Sequence, residues 1–360
     1  MITILTSLLA LYVTVVVACR NEISHIRGFL ESLVRLDRSN LVLDVIIADG
    51  MSTDGTRHVL AEFGRTNPWC TVIDNPGQIV STGLNRAILQ ARGEFIVRMD
   101  VHTVYEPDYV VRCITVMRAT DANGVVNVGG PQRSRAEGFW PRAIHAGFHS
   151  PFASGGARFR DDHYRGAVDT VPYGCWRSDY LIEMGLFDET LPRNQDDELN
   201  LRIRLAGGLV WQDPSIVSWY SPRSTLSGLF RQYFQYGFWR VAVLRKHPGK
   251  GSVRHFVPGA AALTGLCLVL LVFLGFERVA AESVLFVFGL LYLILSLYAT
   301  LRSASQLGWD LLPGLPITFA VYQSAYAAGF CAGLVYWVLR RGRNRTNPRG
   351  IPGAQPDDSA

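Results

Sequence analysis

None of the six cysteines (Cys19, Cys70, Cys113, Cys175, Cys267 and Cys331) stands in a Cys-x-x-Cys pair, so the chain carries neither a dithiol redox motif nor a cysteine-pair zinc site. Isolated thiols of this kind suit a reduced, cytosol-facing protein. Zinc-finger spacing and RNA-binding aromatic motifs are missing too. The net charge of +5 is modest for 360 residues, and together these absences argue against a nucleic-acid partner. No Gly-x-Gly-x-x-Gly turn follows a strand-like run, which removes the dinucleotide-dependent dehydrogenases. The apolar first residues have no basic stretch ahead of them, so a signal anchor is not expected.

Charged residues make up 18% of a chain whose mean hydropathy is nevertheless positive. That mixture predicts a soluble domain joined to a membrane part. Residues 1–12 read as an apolar extension, too short to span a bilayer alone. The β-branched run from Val13 to Ala18 leads straight into Arg20-Asn21-Glu22 and reads as the first buried strand. A helix follows over 23–36, with Ile26, Phe29, Leu30 and Leu33 at helical spacing. Strands at 43–48, 70–74 and 94–99 then alternate with helices at 55–65 and 80–91. Such alternation predicts an α/β domain over 13–247, with a mostly parallel sheet flanked by helices. Residues 130–172, rich in Gly, Pro, Arg and His, are expected to be long loops bordering an active site. Residues 226–247 form a basic, aromatic, amphipathic stretch suited to a membrane interface.

Beyond it the composition changes. Residues 256–276, 281–301 and 311–339 are apolar runs each long enough to span a bilayer as a helix, so 256–339 is expected to be a transmembrane region of about three segments. Residues 340–360 form a basic, Pro/Gly-rich tail expected to be disordered. Arg240, Arg245, Lys246, Lys250 and Arg254 put the segment before the first run in the cytosol by the positive-inside rule. Three full spans would then leave the basic tail outside, against the same rule, so one segment is expected to be re-entrant or interfacial. The location that follows is the cell (inner) membrane, with the soluble domain facing the cytoplasm.

The chemistry is carried by acids at strand ends. Ile46-Ile47-Ala48-Asp49 is a buried strand that delivers a carboxylate into the polar turn Gly50-Met51-Ser52-Thr53-Asp54-Gly55. Open α/β sheets bind ligands at that carboxyl edge. Asp100-Val101-His102 and Gln195-Asp196-Asp197-Glu198 are two further acidic edges, and three on one nucleotide-sized domain suggest chemistry on a sugar nucleotide. Each has a bland account as well. Asn21 or Ser24 could cap a helix, Asp54-Gly55 suits an ordinary turn, His102 could close a loop, and adjacent acids favour a helix N-terminus.

Val15-Val16-Val17-Ala18-Cys19-Arg20-Asn21-Glu22, then Asp49 to Thr56, then Met99-Asp100-Val101-His102, then Asn194 to Leu199, occur in the order of the motifs of family 2 glycosyltransferases. The chain resembles that family, whose fold is the GT-A fold, and within it the succinoglycan-type exopolysaccharide enzymes. The resemblance implies a membrane-bound inverting enzyme. It would move a sugar from a nucleotide-diphosphate sugar donor to a hydroxyl of a lipid-linked or growing saccharide. It also implies that Cys19, Arg20, Glu22, Asp49 and Asp100 line the nucleotide-sugar site. Asp100 and His102 would hold a divalent cation, Mg2+ or Mn2+, with His102 replacing the family's second aspartate. Asp196 aligns with the family's base and Asp197 is the alternative; Gln195 replaces the usual glutamate.

On the acceptor side, Pro172 to Arg177 resembles the family's acceptor loop, which offers Trp176 and Arg177; Trp176 could stack on a sugar or sit in the core. Gln235-Tyr236-Gly237-Phe238-Trp239-Arg240 is similar to the Gln-x-x-Arg-Trp motif of processive synthases and offers Gln235 and Trp239, but Phe238 stands where arginine belongs. A polyprenyl-phosphate glycosyltransferase, a processive polysaccharide synthase and an inert membrane scaffold are the competing readings.

Overall fold

A computed structural model describes residues 11–275 and 278–339. Most of the 1–12 extension and all of the 340–360 tail lie outside the described residues. Leu11 and Tyr12 already belong to the first strand. In chain order the elements are β1 (Leu11–Cys19), α1 (Ile26–Val34), β2 (Leu41–Asp49), α2 (Thr56–Thr66), β3 (Cys70–Asp74), α3 (Val80–Ile88), β4 (Phe95–Met99), β5 (Thr103–Tyr105), α4 (Tyr109–Thr120), β6 (Val125–Gly129), β7 (Arg133–Ser134), α5 (Phe139–His149) and α6 (Pro151–Ser154). They continue with β8 (Gly166–Val168), β9 (Cys175–Arg177), α7 (Ser178–Glu183), α8 (Gln195–Leu205), β10 (Leu209–Gln212), β11 (Ser218–Tyr220), α9 (Leu226–Lys246), α10 (Val257–Phe273), α11 (Arg278–Leu307) and α12 (Leu315–Leu339). The chain folds as two bodies. One holds the described residues up to Arg133 together with Asp161–Tyr220; the other holds Ser134–Arg160 and the described residues from Ser221 on.

The first body is built on an eight-stranded sheet of order β3-β2-β1-β4-β9-β6-β10-β8. β1 pairs in parallel with β2 and β4, and β2 with β3, with Cys19 level with Asp49 and Val17 level with Met99. β1 is apolar apart from Tyr12 and the buried Thr14, whose hydroxyl accepts from the Gly93 amide, because both of its faces are covered, as parallel strands require. Odd-numbered Val13, Val15 and Val17 join the core beneath α1, α2 and α4. Even-numbered Val16, with Ile46, Ile96 and Trp176, packs under α3, α7 and α8. Each fully buried valine contributes about 1.5–3 kcal/mol, so this strand anchors both layers. The expected strands and helices up to residue 99 are present, with ends shifted by up to three residues.

One expectation holds with an addition and another changes. Four of the seven pairings in the large sheet are parallel, as expected, but β9 runs antiparallel to both β4 and β6, and β8 antiparallel to β10, so the sheet is mixed. Strand–helix alternation stops after β4, and a strand inserted from far along the chain leaves no local periodicity to read. Residues 130–172 are not all loop: α5 and α6 form there. α5 buries only Ala143, Ile144, Ala146 and Gly147, a stripe too thin to stand out among its histidines and glycines.

In the second body α9 and α12 pack at backbone contact. A Cβ on Gly329 would run into the Phe234 carbonyl, and one on Gly237 into that of Tyr326. Tyr322 donates from its hydroxyl to the Ile144 carbonyl (2.8 Å), and Gln323 donates to that of Phe152 (2.7 Å). α12 is therefore a packed helix with one buried face. Among the described residues one helix, Val279–Leu307, is long and apolar enough to cross a membrane, where three such segments were expected. Only 17% of its apolar window is buried. α10 reaches 17 residues, short of a full span.

Candidate active site

The carboxyl ends of β2, β1 and β4 bring Asp49, Cys19 and Asp100 to one rim of the sheet, since the three strands are adjacent, parallel and in register. The Cys19 thiol reports that crowding. It is pushed well above its ordinary pKa by burial and then by the charges of Glu22, Asp49, Asp100 and Asp54. It therefore stays neutral.

The two loops that frame the rim are tied together. The Asn21 amide donates to Ser52 Oγ (2.9 Å), Thr53 donates to Asn21 Oδ1 (2.9 Å), and the Glu22 amide donates to Thr56 Oγ1 (2.8 Å). Asn21 has a positive φ of 52°, which asparagine tolerates better than most residues. Neither Asn21 nor Ser24 caps α1, whose N-cap position is His25. Asp54 is the turn residue that its sequence context suggested, accepting from Ile23 and Thr56 at 3.0 Å each. Those bonds overcome its desolvation and hold its carboxyl below the usual range.

Asp49 is 1% exposed. Ser52 donates from Oγ to its Oδ1 (2.6 Å), and Arg57, which also holds Asp74 at 2.6 Å, donates to its Oδ2 (3.2 Å). The half-exposed Arg57 thus covers the buried Asp49 carboxylate. Arg20 folds its stem over Gly50, where a Cβ would clash; its Nε is buried without a hydrogen-bond partner, and its Nη1 points to the Gln78 carbonyl at 3.5 Å.

Asp100 accepts from the His102 main-chain amide (3.1 Å). The His102 ring turns to Glu22, with Nε2 2.9 Å from Oε1. Burial opposes charge on Glu22, but hydrogen bonds from His102 and His25 prevail and hold its carboxyl below the ordinary value. Its second oxygen is buried and faces His25 Nδ1 at 3.4 Å. Among the described residues, the donor atoms that lie within 4.8 Å of one another are those of Glu22, His25 and His102, with the half-buried Asp100 two residues before His102; carboxylate and imidazole are the ligand types that hold a divalent cation.

Asp196 and Asp197 open α8 behind Asn194, which takes a left-handed conformation. Glu198 is committed to structure, since Arg202 Nε lies 3.0 Å from both of its oxygens. Asp196 keeps 36% of its side chain accessible and lies 3.8 Å from Arg98 Nη1. Burial and the neighbouring Asp197 push its carboxyl above the ordinary range, with Arg98 opposing them. Arg98 was not anticipated. It is a buried cation in β4, two residues before Asp100, and its Nη1 has no hydrogen-bond partner. A lone arginine inside the otherwise apolar run Phe95–Met99 is the signal that could have found it. His25, three residues after Glu22, is a second residue that spacing could have suggested.

Three of the four acceptor-side residues are corrected. Trp176 is 2% exposed and packs edge-on against Phe187, so it is core. Arg177 pairs with Phe95 in register and is therefore at the amino end of β4, away from Asp100. It holds Glu94 and Asp121 at 3.0 Å each and lines a hollow with Tyr180 and Glu183. Trp239 is buried within the second body beside Phe238. Gln235, on the same helix, is half-buried.

Comparison with known proteins agrees with this geometry. The model of glycosyl transferase family 2 matches residues 14–178. The succinoglycan biosynthesis protein ExoA of Rhizobium meliloti is 33% identical over 254 residues, covering 69% of this chain and 74% of that protein. A dolichyl N-acetyl-α-D-glucosaminyl phosphate 3-β-D-2,3-diacetamido-2,3-dideoxy-β-D-glucuronosyltransferase of Methanococcus voltae is 23% identical over 329 residues, covering 90% and 97%. Among solved structures, a mannosyltransferase of Pyrobaculum calidifontis, in complex with GDP-Man and Mn2+, superposes with a TM-score of 0.56 at 18% identity, covering 89% and 86%. The chain belongs to the family 2 glycosyltransferases. It is a glycosyltransferase of the GT-A fold, similar to enzymes of exopolysaccharide biosynthesis.

Proposed function

We propose that this enzyme is membrane-bound and moves a sugar, with inversion, from a nucleotide-diphosphate donor to a hydroxyl of a lipid-linked or growing saccharide. The observation that carries the reading is the meeting of Asp49, Glu22 and Asp100 at one sheet rim with Asp196 beside the Arg98 of the same strand. The Methanococcus voltae relative, whose name specifies a dolichyl-phosphate-linked sugar, supports a lipid-linked acceptor.

In this reading Glu22 and Asp49 meet the nucleoside, with Cys19 and Arg20 beside them. Asp100 and His102 would hold the cation, Mg2+ or Mn2+, which neutralises charge on the departing diphosphate. The acceptor oxygen attacks the sugar C1, its proton passes to the Asp196 carboxylate, and the bond from C1 to the diphosphate oxygen breaks. A carboxyl raised by burial is a stronger base than an ordinary aspartate, and Arg98 keeps it ionised enough to act. The exposed apolar face of α11 supports anchorage in the cell membrane, and we propose that the catalytic body faces the cytoplasm, where nucleotide sugars are made.

The test is donor turnover in purified membranes. Asp196→Asn is expected to lose about 10²–10⁴-fold in kcat, the range for a general base, and Asp197→Asn distinctly less. Wild-type turnover in both variants would instead point to an acceptor that is already ionised, such as a polyprenyl phosphate.

A further inference from the structure

The ligand atoms of Glu22, His25 and His102 all lie within 4.8 Å of one another. The two imidazoles approach different oxygens of the carboxylate, His102 Nε2 at 2.9 Å from Glu22 Oε1 and His25 Nδ1 at 3.4 Å from Glu22 Oε2. The two imidazole rings meet edge to face with centroids 4.6 Å apart. Three donors bound tetrahedrally at about 2.0–2.1 Å stand about 3.4 Å from each other, so the trio is near coordinating geometry. His25, at the entry to α1 with over a third of its side chain exposed, has room to close the remaining gap. Glu22 is buried, and its Oε2 faces His25 within this cluster.

We infer that Glu22, His25 and His102 form a second metal site, selective for a borderline transition dication of the Zn2+ class. Two imidazoles and one carboxylate suit Zn2+ or Co2+ better than Mg2+, which takes oxygen ligands and sheds water reluctantly. The site is distinct from the cation position at Asp100, but both draw on His102. An ion held by the trio takes His102 away from Asp100, so micromolar Zn2+ competes with the activating cation. That consequence rests on the functional reading above; binding by the trio does not.

The experiment uses the full chain, in detergent and stripped of metal, titrated with Co2+ in the absence of donor. The wild type is expected to bind one equivalent with a visible d–d absorption band of low-coordinate cobalt, displaced by Zn2+ and not by Mg2+. His25→Ala and the bulkier His25→Gln are expected to weaken that band by at least about tenfold, since even outer-shell partners of a metal site cost that much. Asp100→Asn is expected to retain it. A wild type without the band, either His25 variant with the band intact, or an Asp100→Asn protein that loses it would each overturn the assignment. A folded thermal transition in each variant certifies the comparison. Retained Co2+ binding by a protein without transferase activity would leave this site standing while removing the functional reading.

Discussion

Arg98 Nη1 lies 3.8 Å from Asp196 Oδ2, without a hydrogen-bond partner of its own. A buried guanidinium at that distance stabilises the ionised carboxylate, while burial and Asp197 destabilise it. Removing the cation leaves burial and Asp197 opposed only by main-chain hydrogen bonds. In Arg98→Met the acidic limb of the kcat profile is therefore expected to move to higher pH, with turnover partly recovered in alkaline buffer. A uniform loss at every pH would mean that Arg98 is purely structural.

Asp196 also carries a stability cost. Its folded-state pKa lies above the unfolded value, so between the two the native protein holds a proton that the unfolded chain has released. Stability contributed by this group falls as pH rises through that window, and the cost is complete above it. Asp196→Asn is expected to melt higher than wild type near neutral pH and to lose that advantage below the ordinary aspartate range. Paired thermal melts at the two pH values check the sign.

Chelation with EDTA is expected to abolish turnover, with Mn2+ or Mg2+ restoring it in the wild type. Asp100→Asn should respond weakly to added metal, because the carboxylate is the harder of the two proposed ligands. Full activity after exhaustive chelation would remove the metal role assigned to Asp100 and His102.

Trp176 offers a test of core against acceptor site. Its indole is fully buried against Phe187, so Trp176→Ala is expected to cost about 3–5 kcal/mol of stability, as large-to-small aromatic changes do. The folded fraction should keep an unchanged KM for the acceptor. A selective rise in that KM with normal melting would restore the acceptor assignment.

Gly329 is held to glycine by contact rather than by φ. A methyl group there meets the Phe234 backbone of the opposing helix, so Gly329→Ala is expected to destabilise the α9–α12 pair by about 1–3 kcal/mol, the usual cost of overpacking. Limited proteolysis of α9 and α12 reads this directly.

The amino-acid order by itself determined the alternation through β4, the strand ends that carry Asp49 and Asp100, and the acidic start of α8. These are local matters: a β-branched run covered on both faces has one period, and an acid just beyond it falls at the rim. It also determined the apolar character of Val279–Leu307. Tertiary structure alone decided the rest, because each remaining feature joins residues far apart in the chain. The antiparallel insertion of β9 is one, since it buries Trp176 and sends Arg177 to the opposite rim. The placing of Arg98 beside Asp196, nearly a hundred positions later, is another. The turning of the His102 ring to Glu22 is a third. A side chain's partner across the fold depends on register and packing, and neither is written in the spacing of its neighbours.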